Sequence, residues 1–242
     1  MERAYHKWFS KILQRDMELL IFGHAGRAVI FFPTRMARFY DYENWGVVGA
    51  LFDQIENGEI QLFCVDSIDA ESFYNKAIHP EARINRHLQY EEYILKELIP
   101  FIKETNSSNY LVSAGCSMGA YHAVNIAFRH PHLFKKVVAM SGRYDLTIQL
   151  PYYDDLFDGF HNENIYFNMP RQYVANLTDE GLLYGLRQMD ITIVIGQADP
   201  FCPGNVSFHN SLLEKDIPHQ FYIWDDNAHK PRYWRQMVKL YL

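Results

Sequence analysis

One stretch constrains the fold of this chain more than any other: Asn109-Tyr-Leu-Val-Ser-Ala-Gly-Cys-Ser-Met-Gly-Ala-Tyr-His122. Tyr110 to Ala114 reads as a short apolar strand, and it runs directly into Gly115-Cys116-Ser117-Met118-Gly119. Gly119, Ala120, Ala123 and Ala127 then give a helix a small-residue face on which it can lie close to a sheet. Strand, cramped turn and helix form the setting in which a G-x-S-x-G pattern presents a serine hydroxyl at a sheet edge. A side chain two residues before or after that serine would collide with the tight backbone, so both places are glycine. The pattern alone recurs by chance. Its flanks set it apart from an ordinary Gly-rich turn and make Ser117 the candidate nucleophile.

The rest of the chain supplies the sheet that such a turn requires. Residues 5–32 predict a β-meander with strands at Trp8–Leu13, Met17–Phe22 and Ala28–Phe32, the last apolar throughout like a strand buried on both faces. A helix is expected over Asn44–Ile55 and a strand over Gln61–Val65. His79-Pro80 opens a long helix with the stripe Tyr90, Ile94, Leu98 and Ile102, kinked by Pro100. Lys136–Met140, Ile191–Ile195 and His219–Trp224 are further strands, with helices near Val206–Leu213 and over Pro231–Leu242. Strands alternating with helices predict an α/β fold with a mostly parallel central sheet covered on both faces. The 242 residues suit one domain, 1–242, with no repeat or linker in view. Residues 144–190 break the alternation. They are acidic and aromatic, with no basic residue from Tyr144 to Pro170, and read as a cap insertion.

Composition narrows the partners. A hydrophobic content of 48% with 21% charged residues is that of a globular chain. The net charge of -6 argues against nucleic acid or an anionic membrane surface. Cys64, Cys116 and Cys202 are too few and too scattered for a disulfide framework, and no signal or spanning segment is visible. A cytoplasmic location is therefore expected.

A serine hydroxyl needs a base to take its proton and a third group to hold the base. Where the serine sits on a G-x-S-x-G strand-to-helix turn of this kind, acid and base follow it in that order along the chain. Strand 191–195 leads into Gly196-Gln197-Ala198-Asp199, and strand 219–224 into Asp225-Asp226-Asn227-Ala228-His229. Both loops lie beyond the carboxyl ends of strands, where open α/β sheets assemble their sites. His229 is the expected base and Asp199 the leading acid, ahead of Asp225, Asp226 and Asp145. Of the other histidines, His122 reads as a packing residue on the helix after the serine, and His130 and His132 as helix-end caps. The oxyanion hole calls for two backbone N–H groups, expected from Met118 and from Arg35 in the loop after strand 28–32, although that loop also reads as a plain turn. Arg35, Tyr152 and Tyr153 are the expected substrate-binding side chains. No metal and no cofactor is called for.

Gly115-Cys-Ser-Met-Gly-Ala-Tyr-His-Ala123, the Asp199 and His229 loops and the Phe32-Pro-Thr34 turn resemble the esterase D-like esterase family of the α/β-hydrolase superfamily. That branch also holds S-formylglutathione hydrolases, feruloyl esterases and mycolyltransferases, and the likeness runs along nearly the whole chain. The resemblance implies a Ser117–His229–Asp199 triad and ester or acyl-transfer chemistry without a cofactor. One departure stands out: family members often carry glycines after the first core strand, whereas this chain has Thr34-Arg35-Met36-Ala37. A serine esterase acting on a small or medium soluble ester is the leading expectation. Acyl transfer to an alcohol, or a catalytically silent binding module, are the alternatives.

Overall fold

A computed structural model describes all residues, 1–242. Eight strands form one sheet: β1 (Arg3–Ser10), β2 (Arg15–Phe22), β3 (Arg27–Phe32), β4 (Ile60–Val65), β5 (Leu111–Cys116), β6 (Lys136–Met140), β7 (Asp190–Gly196) and β8 (Gln220–Trp224). Their spatial order is β1-β2-β4-β3-β5-β6-β7-β8. β1 and β2 are antiparallel to each other and β2 to β4, while every later pairing is parallel. The N-terminal meander is thus a hairpin only. β3 is apolar on both faces and needs a neighbour on each side; β4 inserts between it and β2.

Period-2 alternation sorts the strands' side chains between two cores. Ala28, Ile30 and Phe32, Phe63 and Val65, and Val137 and Ala139 point to one face. Val29 and Phe31, Leu62 and Cys64, Val112, Ala114 and Cys116, and Val138 and Met140 point to the other.

The second face is covered by α1 (Asp41–Asn44), α2 (Val47–Ala50), α3 (Phe52–Glu56) and the C-terminal helix. The single helix expected over 44–55 is therefore three short ones. Gly46 takes a left-handed φ of 69° and breaks the first turn from the second. The first face carries α4 (Pro80–Tyr93), a π-helical stretch (Ile94–Leu98) and α5 (Ile99–Thr105), one continuous run. Its π segment ends two residues before Pro100, which has no N–H to return to the preceding turn. Behind the serine lies α6 (Met118–Arg129), followed by α7 (Glu163–Tyr166), α8 (Pro170–Tyr173) and a 3-10 turn (Val174–Asn176). α9 (Glu180–Arg187), α10 (Cys202–Glu214) and α11 (Pro231–Tyr241) complete the set.

Residues 144–190 divide into two parts. Leu146, Leu156, Phe157, Ile165 and Met169 pack with Phe73, Ile84, Met118 and Tyr121 in a small cluster beside the serine turn. Tyr173, Val174, Leu183 and Leu186 belong to the main core, so α8 and α9 form the crossover from β6 to β7. No helix is long and apolar enough to cross a membrane.

Candidate active site

Ser117 caps α6 with φ 56° and ψ -118°, a backbone conformation that a β-carbon opposes. Two glycines make the turn possible. A β-carbon at Gly115 would fall on the backbone of Gly119, and one at Gly119 on the carbonyl oxygens of Phe32 and Pro33. The second contact matters twice, because it also seats the loop after β3 against the start of α6. The Ser117 N–H donates to the Met140 carbonyl, fixing the turn to β6 (2.8 Å).

The structure brings Ser117, His229 and Asp199 together. His229 Nε2 lies 2.9 Å from Ser117 Oγ, and His229 Nδ1 lies 2.7 Å from Asp199 Oδ2. Asp199 is buried, and its other oxygen accepts from the Phe201 N–H at 2.9 Å. With a carboxylate fixed at Nδ1, that nitrogen carries the proton and Nε2 is left to accept from the serine hydroxyl. Of the rival acids, Asp225 and Asp226 are exposed, the latter bonded to Tyr233, while Asp145 accepts from Thr147 and Gln172.

Three residues whose roles sequence reasoning did not single out hold these loops in place. The buried Tyr42 hydroxyl donates to the Phe32 carbonyl (2.8 Å) and accepts from the Cys116 N–H (2.9 Å), tying the end of β3 to the serine turn. Ser141, at φ 56°, donates to the Ala228 carbonyl (3.0 Å) and accepts from Trp234 Nε1 (3.2 Å), tying the His229 loop to β6 and α11. A β-carbon at Gly196 would collide with Asn227, so glycine lets the Asp199 and His229 loops touch. Their signals are absent from local sequence, because each partner lies far along the chain.

The N–H groups of Thr34 and Arg35 have no acceptor within the protein. Met36 takes φ 57°, so the loop bends through a left-handed residue without the glycines that family members often have there. Met118 is buried, and its sulfur lies 3.9 Å from the Tyr74 hydroxyl. Beyond it opens a cleft of about 270 Å³ lined by Arg35, Met36, Tyr74, Lys76, Arg143, Tyr152, Tyr153, Asp154 and Leu156. Tyr153 packs on Phe201 (4.5 Å between ring centroids), which in turn lies 5.9 Å from the His229 ring. Tyr152 stands on the rim, almost wholly in solvent.

His122 does more than pack. Its Nε2 lies 2.9 Å from Asp69 Oδ1, both side chains buried behind the serine helix. His130 occupies the C-cap of α6 as expected, and its Nε2 also lies 3.0 Å from Glu91 Oε1, joining α6 to α4. No group of three His, Cys, Asp or Glu side chains converges to hold a metal ion.

A family model described as "Putative esterase" matches residues 39–236. No curated protein matches the chain. Among solved structures, an S-formylglutathione hydrolase from Agrobacterium tumefaciens aligns with a TM-score of 0.77 at 16% identity, over 98% of this chain and 92% of its own. A ferulic acid esterase aligns with a TM-score of 0.74 at 19% identity, over 99% and 95%. A fluorophosphonate-binding serine hydrolase of Staphylococcus aureus aligns with a TM-score of 0.72 at 15% identity, over 99% and 96%. These likenesses carry the α/β-hydrolase fold.

Proposed function

The chain belongs to the Esterase family, and from that premise we propose that it is a serine esterase in which Ser117 is the nucleophile, His229 the general base and Asp199 the group that orients it. Ser117 Oγ attacks the ester carbonyl as its proton passes to His229 Nε2. The carbonyl oxygen becomes an oxyanion held by the N–H of Met118 and that of Arg35. As the tetrahedral adduct collapses, His229 returns the proton to the departing alcohol and an acyl-Ser117 remains. A water then gives its proton to His229 and attacks the acyl carbon, and the reverse proton transfer frees the acid and the serine. Asp199 orients the ring and stabilises the imidazolium at Nδ1.

The observation that carries this reading is the unbroken chain Ser117 Oγ–His229 Nε2 and His229 Nδ1–Asp199 Oδ2, at 2.9 and 2.7 Å. It weighs against a silent binding module. Hydrolysis is favoured over transfer to an alcohol because the His229 side chain keeps 14% of its surface in solvent, giving the second-step water a route. Arg35, Tyr153 and, at the rim, Tyr152 would contact the substrate.

The test is labelling with a fluorophosphonate probe together with hydrolysis of 4-nitrophenyl acetate. Wild type should be labelled at Ser117, whereas Ser117→Ala and His229→Ala should lose labelling and about 10³-fold or more in kcat. Labelling that persists in folded Ser117→Ala would refute the assignment.

A further inference from the structure

The cleft linked to the serine turn through Tyr74, whose hydroxyl lies 3.9 Å from the Met118 sulfur, contains a buried cation without an acid paired to it. Arg143, two residues beyond Ser141, is only 8% exposed. Its Nε donates to the Asp145 carbonyl (3.1 Å), and its Nη2 to those of Leu146 (3.3 Å), Ile148 (2.6 Å) and Asp154 (2.8 Å). Backbone oxygens thus clamp one edge of the guanidinium, while its Nη1 has no acceptor in the protein and the residue lines the cleft. No carboxylate pairs with it. Nη1 itself still meets solvent in the cleft, while burial of the rest of the guanidinium pulls the pKa of Arg143 down from its ordinary value. Such a donor has a use if an anion arrives.

The neighbours agree in sign. Arg35, also on the cleft, forms no ion pair or side-chain hydrogen bond, and its guanidinium lies over the Tyr74 ring, 5.6 Å from the centroid. Lys76 is a third cation, bonded to Asp158. Against these three the cleft presents one acid, Asp154, exposed at the rim. The cleft is also tied to the reacting groups. Arg143 lies over Phe201 (5.7 Å to the centroid), and Phe201 leans on His229.

We infer that this cleft selects esters that carry an anionic oxyacid group, a carboxylate, sulfate or phosphate, received by Arg143 Nη1 and the Arg35 guanidinium while Ser117 attacks the ester. Charge-assisted hydrogen bonds from planar guanidinium groups suit such oxygens, and partial burial keeps the attraction from being screened. The inference rests on the reading of Ser117 as nucleophile.

The experiment compares kcat/KM within matched pairs, each corrected for its uncatalysed rate. The 4-nitrophenyl half-ester of adipic acid against its methyl ester places the anion on the acyl side. 3-Acetoxybenzoate against its methyl ester places it on the alcohol side. The anionic member of at least one pair should react about tenfold faster, with an advantage that shrinks in 0.5 M NaCl and falls at least by half in Arg35→Gln or Arg143→Met. Wild type and Arg35→Gln suffice if Arg143→Met does not fold, since Arg35 makes no structural bond. Ratios of about three or below in both pairs, or a ratio that neither variant moves, would overturn the inference. Neutral esters hydrolysed normally would leave the esterase reading intact, whereas absence of turnover and of fluorophosphonate labelling would refute that reading instead.

Discussion

At the scale of single residues, the strained turn at Ser117 depends on what its neighbours lack. Gly119 is the sharper case, because a methyl group there would strike the carbonyls of Phe32 and Pro33, and these are backbone atoms that cannot swing aside. Gly119→Ala should push the loop bearing the Arg35 N–H away from Ser117. The expected result is a stability loss of about 1–3 kcal/mol and a kcat at least about tenfold lower, with KM less affected. Steady-state kinetics alongside urea titration separates the two effects. Tyr42→Phe makes the companion prediction. It leaves the Phe32 carbonyl and the Cys116 N–H buried without a partner, so it should cost about 1–3 kcal/mol and also slow acylation. Ser117, His229 and Asp199 were legible in the sequence because each sits in a loop whose place follows from strand order. Tyr42, Ser141 and Arg143 were not. Their partners are backbone groups, a bond type with no residue signature, and Tyr42 reaches 74 positions along the chain to Cys116.

At the scale of elements, the parallel strands were easy to read and the N-terminal pairing was not. Each buried strand is a short apolar run bounded by turn residues, but nothing within Arg15–Phe22 says which strand will lie beside it. That choice belongs to β4, forty residues on, whose six residues are all buried and fill the gap between β2 and β3. Helices are joined by ion pairs that periodicity cannot foresee. Glu91 of α4 receives Arg129 and His130 from the end of α6. Burial works against the charged form of Glu91, yet the hydrogen bond from His130 and the Arg129 guanidinium outweigh it, and its pKa is held down to about 2. A carboxyl that ionises more readily when folded stabilises the fold above its unfolded pKa, and the contribution disappears as pH falls toward the folded value. Stability should therefore decline between about pH 4.5 and pH 2, by something on the order of 3 kcal/mol from this group. Glu91→Gln should flatten that part of the urea-midpoint profile; an unchanged slope would count against the ion pair.

At the scale of the whole molecule, the site is assembled where both cores reach the carboxyl ends of the strands. α6 packs on the first core through Ala120, Ala123 and Ala127, while Cys116 just before the serine, Ala228 and Trp234 belong to the second. His229 is thus delivered by a loop whose backbone is itself unfavourable, with positive φ at Asp226 (67°) and Ala228 (49°). Something must hold that loop, and the structure offers a short chain of contacts. Trp234 Nε1 donates to Ser141 Oγ, Ser141 Oγ donates to the Ala228 carbonyl, and the Trp234 ring meets the His229 ring edge-on at 5.8 Å. Trp234→Phe removes the N–H but keeps an aromatic ring against the core, whereas Trp234→Ala also opens a cavity and should cost about 3–5 kcal/mol. If the loop depends on this anchor, both variants should react more slowly with a fluorophosphonate in buffer, where both remain folded. In wild type, labelling should fade at urea concentrations below those that unfold the sheet, since strained loops open before cores do. Labelling at the wild-type rate in folded Trp234→Ala would show that the His229 loop holds its shape without the Trp234 anchor.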